Sequence, residues 1–413
     1  MSLEPLTGRD LAVQPKKIQH TAQVITGDRE AITVARALAE RFADSAAQRD
    51  ASRTLPHQEL AELAASGLLG ISVPRLYGGA QVSAVTTAEV FRLLATADPN
   101  IAQIPQSHFT FLHVLDRQGT PEQQRLIYGE VLAGKLLGNA QAEKGTRHAQ
   151  EIRTRLTEHA GGGYVLNGIK NYSTGALFAD WIPVTAKNPE DQVVVVFLPA
   201  GTPGVSIVDD WDGMGQRTTA SGTVKLDNVR VPAELVAPHH LTFDGPQLHG
   251  ARAQLLHAAI DVGIARGALA EAGAFVRNYS RPWAESGVEW AAEDPLTIQR
   301  FGELEIRVRA AEALLSRAAK AVDEAGVNLT EETASAASIA VATAKAFADP
   351  VAVEVSAALF EVAGTRSALD SLNLDRYWRN ARTHTLHDPV RWKVQHIGRY
   401  ALNGTPPPRH GSI

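Results

Sequence analysis

The hydrophobic pattern of this chain changes period twice. From Asp28 to about Gly134 apolar residues recur at three- and four-residue spacing, as in REAITVARALAERFADSAAQRD, and further helical runs start near His57, Val85, Ile101 and Pro121. Thr120 before Pro121 reads as a cap followed by a first-turn proline. Between Gly138 and about Pro232 the texture becomes short runs of Val, Thr and Ile broken by Gly and Asp: EIRTRLTEH, YVLNGIK, DQVVVVFLP, GVSIVDDW and SGTVKLDNVRV. From about Gly245 helical periodicity returns in Ala-rich stretches, whose small residues suit close helix packing and subunit contacts. The order predicts an α+β protein: an N-terminal tail at 1–27, a helical domain at 28–137, a middle antiparallel β-domain at 138–244, a helical bundle at 245–395 and a C-terminal tail at 396–413. No repeat of solenoid length is present, and no G-x-G-x-x-G follows a strand to open a dinucleotide-binding helix.

At 413 residues the chain exceeds what one core usually supports, so two or three packed units are expected. A formal charge of −5 leaves no basic surplus for nucleic acid or anionic lipid. The absence of cysteine excludes disulfides, thiolate nucleophiles, iron–sulfur clusters and Cys-ligated zinc, which leaves His, acids, hydroxyls or an organic cofactor. The longest apolar run, Val193 to Leu198, is far short of the ~20 residues a membrane helix needs, and no leader pattern opens the chain, so a cytoplasmic location is expected. Only the first twenty or so residues and Pro406 to Pro408 look uncommitted to regular structure.

Five segments carry residues suited to chemistry. Gly138-Asn139-Ala140-Gln141-Ala142-Glu143 and Asn167 to Ala176, with Ser173 and Thr174, place amides and small hydroxyls where a flat heteroaromatic ring could lie; the bland alternative for the second is a hairpin turning at Asn167-Gly168. Asp210 to Gly222 sets Trp211 beside hydroxyls and an arginine, a mixture that suits a ligand as well as a plain connection. Arg281, after a long helix, and Arg366 with Ser367 could clamp a phosphate, although surface arginines are commonly just solvated. His384 and His387 share a face if helical and suit acid–base work near neutrality; without a third ligand or an H-E-x-x-H pattern, no metal is expected. His108 lies among aromatic neighbours, either facing a pocket or filling the core.

The order of these segments resembles the acyl-CoA dehydrogenase superfamily from roughly Asp28 to Gly404, through SGLLGISVPRLYGG, GNAQAE, NGIKNYSTGA, NVRVP, YSRPW and RYWRNAR. That resemblance implies an N-terminal helical domain, a middle β-domain and a C-terminal four-helix bundle that builds homotetramers. Two departures bear on chemistry. Where dehydrogenases carry I-Y-E-G-T with its base, this chain reads Leu386-His387-Asp388-Pro389-Val390, leaving Asp388 or the helix residue Asp261 as candidate bases. Phe360-Glu361-Val362-Ala363-Gly364 replaces the Gln and paired glycines that cradle an adenylate, which favours FMN over FAD.

Through QIPQSHF, LHAAID, SRPW and WRNARTHTLHDPV the chain resembles the flavin monooxygenase (dibenzothiophene monooxygenase-like) branch, nearest to the sulfur-acquisition oxidoreductases of the dimethyl-sulfone pathway. The resemblance implies reduced FMN from a separate NAD(P)H-dependent flavin reductase, O2 addition at flavin C4a, and oxygen transfer to a small organosulfur substrate; the alternative is an FAD-dependent acyl-CoA dehydrogenase. By position it implies that Asn139, Ser173, Thr174 and Trp211 border the flavin ring. Arg281 would contact the phosphate, with Arg366 and Ser367 reaching it from a neighbouring subunit. His108, His384 and His387 would surround the oxygen-binding side, with Thr174 or Ser173 near the ring N5. The segment from His396 to Pro408 is expected to pack into a neighbouring subunit's site or to fray.

Overall fold

The computed structural model of the protein describes residues 22–413, so most of the expected N-terminal tail lies outside it. Six helices come first: α1 (Asp28–Ser52), α2 (His57–Ala65), α3 (Ala84–Ala97), α4 (Pro99–Gln103), α5 (Gln106–Gln118) and α6 (Pro121–Leu132). Their starts follow local chemistry. Thr120 and Gln123 form a capping box ahead of Pro121, and the Asp98 carboxylate accepts from the Asn100 N–H ahead of α4.

Seven strands follow: β1 (Arg155–Glu158), β2 (Tyr164–Lys170), β3 (Trp181–Lys187), β4 (Val193–Pro199), β5 (Val205–Val208), β6 (Thr223–Val231) and β7 (Val236–Ala237). They make one sheet in the order β5-β6-β2-β1-β3-β4-β7. Every pairing is antiparallel except β1 with β3, which meet in parallel at Arg155 and Lys187. The expected all-antiparallel domain is corrected at that one seam. A hairpin at Asn167-Gly168 is also absent, because β2 runs straight through both residues with a register shift between Leu166 and Gly168. Gly168 is there for space: a Cβ would stand 2.3 Å from Thr154 Oγ1.

The last part holds α7 (His249–Tyr279), α8 (Pro295–Val327), α9 (Glu331–Ala363), α10 (Arg376–His384) and α11 (Val390–Asn403). Three long helices and a broken fourth limb thus stand where a four-helix bundle was expected. Pro389 explains the break, since it cannot donate to a helix and biases Asp388 out of helical geometry. The largest core joins the N-terminal helices to the bundle, and α3 meets α7 at Gly263 and Gly267, where a Cβ would stand 2.6 and 2.5 Å from the Arg92 and Thr96 carbonyls. This close crossing fixes α4, which follows α3, against α7. Among the described residues no helix is long and apolar enough to cross a membrane.

Candidate active site

Two walls face each other at the junction of the β-domain with α4, α7 and α10. The first comes from the Gly138–Glu143 segment, residues 171–176 and the 210–222 loop. Lys170, fully buried, donates to Glu143 at 2.7 Å and to the Gln141 carbonyl at 3.1 Å, which pins the segment carrying Asn139. Gly175, at φ +75°, lets the 171–176 turn approach the Ile104 carbonyl, where a Cβ would come within 3.1 Å. Thr174 Oγ1 and Thr219 Oγ1 each lie 2.7 Å from Ser221 Oγ, and Trp211 Nε1 donates to the Gln216 carbonyl at 2.8 Å. The structure therefore brings Thr174 and Trp211 onto one surface.

Several buried polar atoms on this side have no protein partner: Asn139 Oδ1, Ser173 Oγ, both amide atoms of Gln216 and Thr218 Oγ1. Leaving one such atom dry and unpaired costs about 1–3 kcal/mol, so a cluster of them marks a place that a polar ligand completes. A flavin ring, with donors and acceptors along one edge and apolar faces, fits that inventory.

The 210–222 loop ties this wall to the second one. Its Gln216 N–H donates to Asn380 Oδ1 of α10 at 2.7 Å, and its Thr218 N–H donates to Asn100 Oδ1 of α4 at 3.2 Å. One turn beyond each partner stand His384 on α10 and Gln103 on α4.

These two meet His257 and Asp261 of α7, four residues apart on one helix face. His384 is fully buried, with Nδ1 2.5 Å from Asp261 Oδ1 and Nε2 3.2 Å from His257 Nδ1 and 3.1 Å from Gln103 Oε1. Gln103 Nε2 lies 3.2 Å from His387 Nε2, and His387 Nδ1 donates to the His384 carbonyl at 2.7 Å. His387 sits in the α10–α11 turn and is exposed, so it forms the open end of the cluster. Burial drives His384 and His257 well below the ordinary imidazole range, with neighbouring histidines and Lys345 adding to the effect. Candidate bases for a dehydrogenase are both engaged: Asp261 is held by Lys345 and His384, and Asp388 pairs with Lys393 at 3.1 Å.

The remaining expected residues lie elsewhere. His108 is fully buried with Nε2 2.9 Å from the Leu69 carbonyl, while its Nδ1 accepts from the Leu137 N–H at 3.1 Å. Burial takes its pKa down to about 4. Both nitrogens are thus engaged by backbone, one of them by Leu137 just before the Asn139 segment. Arg281 and Arg366 are exposed and share one surface: Ser280 Oγ donates to the Ala363 carbonyl, and the Arg366 guanidinium covers the Tyr279 ring at 5.2 Å. Ser367 is buried there and donates to the Gly364 carbonyl. A rise of 1.5 Å per residue puts Tyr279 roughly 33 Å along α7 from His257, farther than one FMN molecule reaches. The C-terminal tail lies on its own chain: Lys393 Nζ donates to the Ser412 carbonyl at 2.7 Å, and Ile413 is buried against the start of α7, where a Cβ on Gly250 would meet it.

Sequence reasoning missed His257 and Gln103. The signal for His257 was present, since an i,i+4 His–Asp pair inside the apolar run LHAAID has a polar task to perform. Gln103 carried no comparable sign.

Comparison with known proteins places the whole chain in one family. The N-terminal, middle and C-terminal domains of acyl-CoA dehydrogenase match residues 29–135, 140–229 and 255–392. Dibenzothiophene monooxygenase of Rhodococcus erythropolis is 35% identical, covering 96% of this chain and 99% of its own length. A probable FMNH2-dependent monooxygenase of Pseudomonas putida, SfnC, is 32% identical over 94% of this chain and 98% of its own. The crystal structure of FMN-bound TdsC from Paenibacillus sp. A11-2 superposes with a TM-score of 0.88 at 32% identity, covering 93% of this chain and all of that one. With three domains matched in order along nearly the whole chain, the protein belongs to the acyl-CoA dehydrogenase family.

Proposed function

We propose that the protein is a reduced-FMN-dependent monooxygenase that transfers one oxygen atom from O2 to a small organosulfur compound. The observation that carries this reading is the pairing of a wall of unsatisfied buried polar atoms with a buried imidazole cluster in which both candidate carboxylate bases, Asp261 and Asp388, are held in ion pairs. The oxidising power would come from reduced FMN acting on O2, supplied by a separate NAD(P)H-dependent reductase in the cytoplasm. The likeness to a relative described as a probable FMNH2-dependent monooxygenase and to an FMN-bound structure supports FMN over FAD.

Within this reading Thr174, Ser173, Asn139 and Trp211 border the ring, and the Thr174–Ser221–Thr219 hydroxyl chain offers a rotatable donor to a ring nitrogen. His384 and His387 hold and move the proton that the reduction of O2 requires, and burial of His384 and His257 keeps that region dry. Arg281, Arg366 and Ser367, too far along α7 to serve the same chain's ring, hold the phosphate of FMN bound to a neighbouring copy, which makes the active unit an oligomer, here a homotetramer.

The test is binding and turnover. Purified protein should bind FMN in preference to FAD and form oxygenated product only when reduced flavin is supplied. Reduction of bound FAD by an acyl-CoA, without oxygenated product, would instead assign a dehydrogenase.

A further inference from the structure

Behind His384 lies a charged group that the oxygenation reading leaves unused. Lys345 of α9 is fully buried, with Nζ 3.0 Å from Asp261 Oδ2 and 2.6 Å from Asp349 Oδ1. Asp261 is also fully buried, and Asp349 is 3% exposed. Four ionisable side chains from three helices are thus enclosed in sequence: Asp349, Lys345, Asp261, His384. Replacing such a group with apolar residues is often neutral or stabilising, so its presence in an Ala-rich helix interface calls for a reason other than stability.

The hydrogen bonds around His384 supply one. The His384 carbonyl can only accept, so His387 Nδ1 carries the proton and its Nε2 presents a lone pair. Gln103 must then turn its NH2 toward His387, which aims Gln103 Oε1 at His384 Nε2. The other His384 nitrogen faces the Asp261 carboxylate. Both ring nitrogens meet oxygen acceptors, which a doubly protonated imidazole satisfies, while a neutral one protonated at Nδ1 can accept from His257 Nδ1 at Nε2; burial, His387 and Lys345 favour the neutral form. Asp349 presents the complementary need: its Oδ2 is buried without a donor, and it approaches Asp261 closely enough to share a proton with it. One proton can therefore sit on His384 or on Asp349 with the net charge of the enclosed group unchanged.

We propose that Lys345 and Asp349 are positioning residues that set the protonation of His384 through Asp261, so that the site keeps one transferable proton out of contact with water. The groups facing His384 are Gln103 of α4, His257 and Asp261 of α7, Lys345 of α9, and His387 and Asp388 of the turn; Asp349 of α9 stands behind them on Lys345 and Asp261, and Lys393 of α11 pairs with Asp388. Of these, Asp349 and Lys345 act in opposite directions. Lys345 disfavours a charged His384, whereas a negative charge on Asp349, held against Lys345 and Asp261, offsets that effect. The coupling inside the cluster agrees: burial and Asp261 push Asp349 upward, and the two carboxylates hold Lys345 charged despite its burial.

The proposal rests on the monooxygenase reading for its purpose but is tested without flavin. In 15N-histidine-labelled, flavin-free protein, the pH at which the His384 nitrogens titrate should fall by about one unit in Asp349→Asn and rise by about one unit in Lys345→Met. In the complete enzyme with reduced FMN, the alkaline limb of product formation should move the same two ways. A merely structural role moves neither profile, or moves both alike through loosened packing, and either result in folded variants would overturn the proposal. Asp349→Asn is nearly isosteric and keeps the experiment readable if Lys345→Met fails to fold. Opposite NMR shifts without any oxygenated product would leave the proton device standing and overturn the monooxygenase reading.

Discussion

Gly215 offers the most direct mechanical test of how the site is held together. It sits in the 210–222 loop against the backbone of α10, where a Cβ would stand 1.9 Å from the Arg379 carbonyl oxygen, 2.2 Å from its carbon and 2.7 Å from Thr383 Oγ1. Real Cβ contacts essentially never fall below 3.0 Å, and the nearest atoms here are backbone, so Gly215→Ala must drive the loop and α10 apart by roughly 1 Å. The first casualty is the Gln216 N–H to Asn380 Oδ1 bond; the second is the placement of His384, one turn along the same helix. Overpacking of this kind costs about 1–3 kcal/mol, a loss that a protein of this size survives. Displacement of a reacting group by about 1 Å costs on the order of 10²-fold in rate. The assay is oxygenated product formed per reduced FMN consumed, alongside a thermal melt. Gly398→Ala on α11, with nothing within 4 Å of the new Cβ, is the control and should leave turnover unchanged. Activity of Gly215→Ala within twofold of the parent, with the fold intact, would refute the claim that this loop sets the distance between the two walls.

Other expectations follow from the same geometry. Asp261→Asn should lower product formation by about 10²–10⁴-fold while leaving FMN affinity within a few-fold, measured by flavin fluorescence quenching, because Asp261 touches His384 and not the ring wall. Mixing inactive His384→Gln with inactive Arg281→Ala subunits should recover part of the activity, since each copy supplies the element the other lacks; no recovery would place Arg281 outside the neighbouring site. Stability should drop steeply on acidification. His108 and His239 are held neutral by burial at pKa values of about 4, below the unfolded 6.5, so their contribution is complete above about pH 6.5 and lost as pH falls through 4, at roughly 3 kcal/mol each. His108→Gln should flatten the melting temperature against pH in that window.

Much of the architecture is legible in residue order. The change from helical period to Val- and Thr-rich runs and back locates the three parts, and Thr120-Pro121 fixes a helix start because capping is local chemistry. Long-range geometry is harder to read. Asn167-Gly168 has the composition of a tight turn, yet β2 continues through it because the glycine answers a steric demand from Thr154, a residue outside any local window. Pro183 argues against a strand, and β3 forms around it through its pairing with β4. The ring wall could be anticipated because Thr174, Asn139 and Trp211 lie in glycine-bearing loops, whereas the imidazole cluster needs three helices crossing at fixed angles. His384 and His387 announce themselves by spacing, but Gln103, Lys345 and Asp349 acquire meaning only when α4 and α9 are packed against α7.

The central claim is that this active site delivers an oxygen atom. Incubation of the enzyme with reduced FMN, 18O2 and a panel of small sulfides, sulfoxides, sulfones, sulfinates and thiophenes, followed by mass spectrometry, addresses it directly. The account predicts that at least one sulfur compound gains a single 18O atom, and that the gain is lost in His384→Gln. Hydrogen peroxide alone across the whole panel, together with FAD reduction by an acyl-CoA, would contradict it.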